Sequence, residues 1–191
     1  MAASEVSLAN RALQILGVSQ GIESLSQDHP NARTMTRVLE PRRQALLRKY
    51  RWTFAIKRAS VAADGDQTLW GDLNRYGKPN DFLRLLRDGD VPNVREDWKI
   101  EELFIVTGDS SPLEFRYVAD ITDPTQWDAL FFEVLAHDMA NETCKEVTGS
   151  TAAKQDIKDD LKTLLSEAKL VGAMEEDPTE AVDDDWLRCN Q

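Results

Sequence analysis

The sequence predicts an α+β fold, in which helices from both ends of the chain form an antiparallel bundle around an inserted antiparallel β-region. Apolar residues recur at three- and four-residue spacing near both ends, the period of a helix buried on one side. In between, the period falls to two, and glycine, proline and asparagine interrupt it. No helical pattern separates the expected strands, so they cannot form a parallel crossover sheet. We therefore divide the chain into a helical bundle of residues 1–51 and 123–173, a β-rich region of residues 52–122, and a flexible acidic tail of residues 174–191.

The first helix is expected from Ser4 to Leu16, where Gly17 supplies a left-handed stop. Its apolar positions fall on one stripe and are Leu8, Ala12, Ile15 and Leu16. A second helix should start at Asp28-His29-Pro30, a polar cap followed by a proline in the tolerated first turn. Its buried side is expected to carry Met35, Val38, Leu39, Leu46 and Leu47. Because Pro41 removes a backbone donor, we expect a kink or a short break there.

The β-region should begin at Trp52, because Trp52, Phe54 and Ile56 alternate with more polar residues. A second strand is expected after the Lys78-Pro79 turn, in the stretch "NDFLRLLRD". The segments 103–107 and 113–118 flank a Gly-Asp-Ser-Ser-Pro sequence, a pattern that predicts a β-hairpin.

Two long helices are predicted to follow. In the first of them Asp123 caps, Pro124 takes the first helical position, and Gly149 ends the helix. Its inner face is expected to contain Trp127, Phe131, Val134, Leu135, Met139, Cys144 and Val147. Ser150 should cap the last helix and Gly172 should close it. The apolar row of this last helix is Ala153, Ile157, Leu161, Leu164, Ala168 and Val171.

Composition limits the functions that the chain can have. It holds 23 basic and 34 acidic residues, a net charge of −11, which repels duplex DNA and anionic membranes at long range. Two cysteines and two histidines give no disulfide framework and no zinc set. No phosphate-binding glycine loop and no Gly-x-Ser-x-Gly motif are present, so we expect no cofactor, no metal and no enzymatic activity.

The stretch "LLRKYRWTFAIKRASV" nevertheless interleaves basic and aromatic residues, as nucleic-acid-binding surfaces do. Its alternative interpretation is a structural junction, since Tyr50, Trp52 and Phe54 lie where the helical period gives way to the strand period. We favour the junction and expect Trp127 and Phe131 of the third helix to belong to it. An enzymatic alternative also stays open: a cell-wall glycosidase would use a carboxylate pair, for which Glu101 and Glu102 are candidates.

Four segments in this order resemble a known family: "SLANRALQILGV", "LLRKYRWTFA", "YGKPNDFLRLL" and "YVADITDPTQWDALFFEVLAHDMA". Together they are similar to the head-to-tail adaptors of short-tailed bacteriophages, the tail tubular protein A type. The residues that carry the resemblance are Asn10, Leu13, Trp52, Phe54, Pro79, Asp81, Leu83, Arg84, Tyr117, Val118, Asp123, Pro124, Trp127 and Phe131. The resemblance covers residues 4–172 and rests on the order and spacing of the motifs.

The resemblance implies a virion protein of the head–tail interface, assembled in the host cytoplasm. Its expected partners are the portal protein, the tail nozzle or tail tubular protein, and further copies of itself in a ring of about twelve. DNA would pass through the ring without sequence-specific binding, and no membrane would be involved. Trp186 and Leu187, near the end of the acidic tail, are expected to contact a partner subunit, since a large aromatic side chain suits an interface hot spot.

Overall fold

A computed structural model describes residues 3–68, 73–86, 98–150 and 153–175 of the chain. Within these ranges the chain forms four helices and two antiparallel sheets, which confirms the predicted α+β class. The helices are α1 (Glu5–Ile15), α2 (Pro30–Lys49), α3 (Ala129–Thr148) and α4 (Lys154–Glu175). The strands are β1 (Ile56–Val61), β2 (Ala63–Gln67), β3 (Asn74–Gly77), β4 (Phe82–Leu85), β5 (Lys99–Glu101), β6 (Phe104–Thr107) and β7 (Leu113–Ala119).

Helix α1 begins and ends close to the predicted positions. Ser4 and Ser7 form a capping box: the Ser4 hydroxyl accepts from the Ser7 amide at 3.0 Å, and the Ser7 hydroxyl accepts from the Ser4 amide at 2.9 Å. Gly17, at the other end, has a φ of 76°, the left-handed conformation that the sequence predicts. Leu8 and Ala12 are fully buried, and Ile15 and Leu16 pack at the edge of the core.

Helix α2 continues without interruption through Pro41, so of the expected kink or short break, the break is wrong. Tertiary contacts on the two residues that follow account for the difference. Arg42 forms two hydrogen bonds with Asp138 of α3, and Arg43 forms two with Asp120 at the end of β7. These contacts hold the helical turn that the proline alone would weaken. Met35, Leu39, Leu46 and Leu47 are buried as predicted, and Val38 is half-buried.

The β-region starts later than expected. Residues Thr53–Ala55 form a 3-10 turn, and β1 begins only at Ile56, so the predicted strand start at Trp52 is wrong. The Ala55 amide donates to the Trp52 carbonyl at 3.0 Å and closes the turn. Three alternating residues fit a strand and a 3-10 turn equally well, which is why periodicity did not separate the two.

The predicted hairpin between segments 103–107 and 113–118 is also wrong, because its two strands belong to different sheets. Strand β7 is the centre of a three-stranded sheet of order β1-β7-β4, which we call sheet A. Strand β6 lies in a four-stranded sheet of order β2-β3-β6-β5, sheet B. Tyr76 and Asn74 of β3 donate to the Asp109 carbonyl at 2.7 and 3.0 Å. These two hydrogen bonds hold the segment between β6 and β7 against sheet B before the chain crosses to sheet A.

The start of α3 and both ends of α4 differ from the expectation. Asp123 caps a separate 3-10 turn, Pro124–Gln126, and Asp128 caps α3 by accepting from the amides of Leu130 and Phe131. Helix α4 begins at Lys154, so Ser150 is not its cap, and it continues past Gly172 to Glu175. The Glu175 carboxylate accepts from the Thr53 hydroxyl at 3.2 Å, a contact that favours the extra turn. Gly149 ends α3 with a φ of 69°, as predicted.

Helices α2 and α3 run antiparallel, as their polar contacts show. Thr34 near the start of α2 contacts Glu146 near the end of α3, whereas Arg42 further along α2 contacts Asp138, which precedes Glu146. Helix α3 is central in the bundle, since α1, α2 and α4 all pack against it. Its inner face, from Phe131 to Cys144, is almost completely buried.

Candidate interaction surfaces

Three of the predicted junction residues, Trp52, Phe54 and Trp127, surround the ring of a fourth, Phe131, which is completely buried. The ring centroids of Trp52, Phe54 and Trp127 lie 4.9, 5.1 and 5.7 Å from it, all in edge-on geometry. The indole N–H groups of both tryptophans also donate hydrogen bonds. Trp52 donates to the Leu46 carbonyl at 3.3 Å and Trp127 to the Ile121 carbonyl at 2.8 Å. This aromatic junction joins α2, β1 and α3 and fixes how the bundle meets sheet A.

Tyr50 lies beside the aromatic junction and contacts a different helix. The ammonium groups of Lys49 and of Lys169 in α4 lie 5.3 and 4.6 Å from the centre of its ring. Such cation–π contacts contribute about 0.5–1 kcal/mol at exposed sites. Together with the hydrogen bond between Thr53 and Glu175, they attach the last turns of α4 to the start of the β-region.

The basic residues near the junction largely serve the fold. Arg48 donates to the Leu83 carbonyl of β4, and Lys57 donates to the Asp81 carboxylate at 2.7 Å. Burial alone would raise the pKa of Asp81, but hydrogen bonds from Lys57 and Tyr117 outweigh it and lower the pKa. Burial and the same Asp81 contact raise the pKa of Tyr117 to about 12. Both bonds are therefore present at neutral pH.

Ion pairs and hydrogen bonds connect α2 with α3. Arg42 donates two hydrogen bonds, of 2.7 and 2.6 Å, to the Asp138 carboxylate. This hydrogen bonding raises the pKa of Arg42. Arg37 and Thr34 both donate to Glu146, which lowers the pKa of that carboxyl. Pairing of this kind specifies the antiparallel register of the two helices.

Asn10 has a role that the residue pattern did not reveal. Its side-chain amide donates to the Ile22 carbonyl at 2.9 Å, and its side-chain oxygen accepts from the Ile22 amide at 2.7 Å. A Cβ placed on Gly21 would lie 2.9 Å from the same oxygen, so a larger residue there would displace the Asn10 amide from its bonds with Ile22. Asn10 therefore clamps the loop between α1 and α2. The Asn-x-x-Leu motif was visible in the sequence, but its partner was not.

A groove of about 1090 Å³ lies between α1 and the first turns of α3. Its apolar lining includes Val6, Val18, Trp127 and Phe132. The Arg11–Glu133 ion pair, at 3.0 Å, crosses it and is about one-third exposed on both sides.

Two small surfaces expose apolar side chains. The first, here called the hairpin tip, comprises Ile100, Glu102 and Leu103 at the two-residue turn between β5 and β6. Leu103 is 73% exposed, and Glu102 has a φ of 47°, a left-handed conformation that is unfavourable for a residue with a side chain. Strain of this kind often marks a functional position.

The second, here called the α4 end, comprises Leu170, Val171 and Met174. Met174 is 74% exposed, and the spacing of the three residues places them on one side of the last helical turns. Val171 was expected in the apolar row that packs inward, but it is 42% exposed. Trp186 and Leu187, the predicted partner-binding residues, lie outside the described residues.

The candidates for catalysis do not come together. Glu101 and Glu102 are both exposed at the hairpin tip, and neither lines the groove described above. His29 caps α2 by accepting from the Asn31 amide, and His137 bonds to the Glu133 carbonyl of its own helix. Within the described ranges, histidine, cysteine and carboxylate side chains form no cluster of three that could ligate a metal ion.

Comparison of the chain with protein-family models and with curated proteins gives no match. None of the helices in the described part of the chain combines the length and the apolar content needed to cross a bilayer.

Proposed function

We propose that this protein is a structural head-to-tail adaptor of a bacteriophage virion, which forms a ring under the portal, extends the DNA channel and joins the tail. The observation that carries the proposal is the presence of two separate exposed apolar surfaces, the hairpin tip and the α4 end, on one packed core. An adaptor needs at least two such surfaces, because it binds different partners at once. Exposed apolar side chains rimmed by polar residues are typical of interaction sites.

The α+β architecture supports the same role. In the sequence, the motifs that resemble the tail tubular protein A type occur in a fixed order, and the junction residues among them meet at Phe131. Asn10, another residue of the resemblance, clamps the loop after α1. These residues therefore have structural tasks in the fold that the resemblance implies.

In the proposed role the partners are the portal protein, the tail nozzle or tail tubular protein, and further copies of this chain in a ring of about twelve. DNA passes through without sequence-specific contacts, and a net charge of −11 per copy opposes its adhesion. The adaptor catalyses no reaction and uses no cofactor. Trp186 and Leu187 contact a partner subunit in this arrangement.

The experiment is electron microscopy of the purified chain, alone and mixed with the portal of its own phage. We expect annular density under the portal only in the mixture. Leu103→Asp and Met174→Asp each place a charge in one exposed apolar surface without disturbing the core. Each variant should weaken assembly. One of the two should impair binding to the portal, and the other should impair contacts between neighbouring copies or binding to the tail.

Matched controls are Ser110→Asp and Ser166→Asp, which add the same charge at exposed positions nearby on the chain. They should assemble as the wild type does. Trp186→Ala tests the tail contact and should reduce portal binding. The proposal fails if no ring forms with the portal, or if both apolar variants assemble as well as their controls do.

A further inference from the structure

Strand β5 is the terminal strand of sheet B, whose order is β2-β3-β6-β5. All three of its residues, Lys99, Ile100 and Glu101, are exposed. An edge strand presents backbone N–H and C=O groups on its outer side, where a strand of another molecule can pair with it. The opposite edge, β2, has a register shift between Ala63 and Gln67, an irregularity of the kind that discourages such pairing. Strand β5 is therefore the more favourable edge of sheet B for a partner strand.

The register between β5 and β6 determines which backbone groups point outward. Glu101 pairs with Phe104 across the two-residue turn, so these two residues exchange both of their backbone hydrogen bonds. Hydrogen-bonded and non-hydrogen-bonded positions alternate along an antiparallel pair, and Ile100, opposite Ile105, takes the next, non-hydrogen-bonded position. The N–H and C=O groups of Ile100 consequently point away from β6, toward the outer edge of the sheet.

Both ends of β5 are attached to the rest of sheet B. Trp98, directly before the strand, is buried, and its indole N–H donates to the Asp109 carboxylate at 2.5 Å. At the other end, Lys78 donates through its ammonium group to the Glu102 carbonyl at 2.5 Å and through its backbone amide to the Leu103 carbonyl at 2.9 Å. Because these contacts hold the strand in place, a partner strand does not have to order it first.

The sequence of β5 is complementary to itself in an antiparallel arrangement. When two copies pair with Ile100 opposite Ile100, the outward N–H and C=O groups of these two residues form two hydrogen bonds. Lys99 of each copy then lies opposite Glu101 of the partner subunit, at the closer spacing of a non-hydrogen-bonded pair. Opposite charges in cross-strand pairs stabilise a sheet, and like charges destabilise it. Among the described residues Lys99 and Glu101 form no ion pair, so both charges are available to a partner.

We propose that β5 pairs antiparallel with β5 of a second copy of this chain, in the register centred on Ile100, and thereby joins two copies of sheet B into one continuous sheet. The pairing covers Ile100, which is 44% exposed in the single chain. Because the strand has only three residues, the dimer is weak and forms at high protein concentration. A two-fold contact closes on itself and does not build a ring, so the inference concerns the free protein and does not depend on the proposed adaptor function.

The test is sedimentation equilibrium of the full-length chain, at protein concentrations up to about 1 mM and an ionic strength of about 0.15 M. We expect the wild type to dimerise reversibly. Lys99→Glu makes both cross-strand pairs Glu–Glu, and Glu101→Lys makes both of them Lys–Lys, so each variant should dimerise about tenfold more weakly. The double variant Lys99→Glu, Glu101→Lys restores both opposite-charge pairs without changing the net charge. Its dissociation constant should lie within about twofold of the wild-type value.

A mixture of the two single variants tests the antiparallel register directly. In a mixed dimer both cross-strand pairs are again Glu–Lys, so the mixture should dimerise about as strongly as the wild type, although neither variant does so alone. Ile100→Pro removes the outward N–H, which β6 does not use, and an edge strand tolerates proline at such a position. This variant should fail to dimerise and should keep the wild-type circular dichroism spectrum.

The matched control is Glu114→Lys, which makes the same charge change as Glu101→Lys at an exposed position of sheet A. Both changes reduce the net negative charge, so long-range repulsion between copies alone would favour association in both variants. Only the pairing of β5 predicts that Glu101→Lys weakens it. A wild type that stays monomeric at about 1 mM, or a double variant that dimerises no better than the single variants, would overturn the proposal. Either result would leave ring formation with the portal unaffected, because electron microscopy of that mixture reports it separately.

Discussion

Truncation of Phe131 is the most direct test of the aromatic junction. The residue is completely buried, and three aromatic rings lie within 5.7 Å of its ring centre. A buried aromatic side chain removes about 150–250 Å² from water, equivalent to about 4–6 kcal/mol at 25 cal/mol per Å². An alanine still buries part of this apolar area, and the truncation leaves a cavity. Measured losses for Phe→Ala are therefore about 3–5 kcal/mol. We therefore expect Phe131→Ala to lower the free energy of unfolding by about 4 kcal/mol.

The loss expected for Phe131→Ala is a large fraction of the total free energy of unfolding. Domains of this size are stable by about 5–15 kcal/mol, and each kcal/mol corresponds to about 2–4 °C in Tm, so a fall of about 8–16 °C is expected. The assay is urea denaturation followed by far-ultraviolet circular dichroism. Phe132→Ala is the matched control, because Phe132 is the next residue of α3, is only half-buried and lines the groove. It should cost less than about 2 kcal/mol. If the two variants were equally stable, Phe131 would not organise the junction.

Two further predictions concern hydrogen bonds. Asn10→Ala leaves the Ile22 amide and carbonyl without their partner and should cost about 1–3 kcal/mol in urea denaturation, with faster proteolysis of the loop between α1 and α2, whereas the exposed Gln14→Ala should change little. Asp81 has a lowered pKa in the folded protein, so its contribution to stability is complete above the ordinary carboxyl pKa of about 4 and is lost as the pH falls through the lowered value. The stability gap between wild type and Asp81→Asn should therefore be widest near neutral pH and close in acid; a gap that does not change with pH would contradict this.

The helical part of the fold could be predicted from the sequence because its signals are local. Caps, left-handed glycines and apolar stripes depend on residues within a few positions of each other. Gly17 and Gly149 consequently have the predicted roles, and the buried residues of α2 and α3 agree with the pattern. Local signals gave wrong predictions where contacts with residues distant in sequence determine whether a helix continues or ends. Pro41 stays inside a continuous helix, and Gly172 does not end α4, because neighbouring residues are held by contacts with other elements.

The pairing of strands could not be predicted, because it depends on contacts between residues far apart in sequence. The segments 104–107 and 113–119 are adjacent in sequence, yet each pairs with strands elsewhere in the chain. Arg58 of β1 and Arg116 of β7 lie directly opposite each other because of that pairing. The same is true of Asn10 and Ile22, whose contact no motif indicated. The surfaces formed by one segment, such as the α4 end, follow directly from helical spacing.

Four residues of the interleaved basic and aromatic stretch at the end of α2 make contacts within the fold. Trp52 and Phe54 pack on Phe131, Arg48 binds a backbone carbonyl, and Lys57 binds Asp81. Nucleic-acid binding requires cations that are free to replace the counterions of phosphates. Cations engaged in internal bonds are poor candidates, and the chain carries 11 more acidic than basic residues. The contacts of these residues therefore favour the structural interpretation of the stretch. The net charge of −11 also suits the proposed ring, because it opposes the adhesion of DNA phosphates.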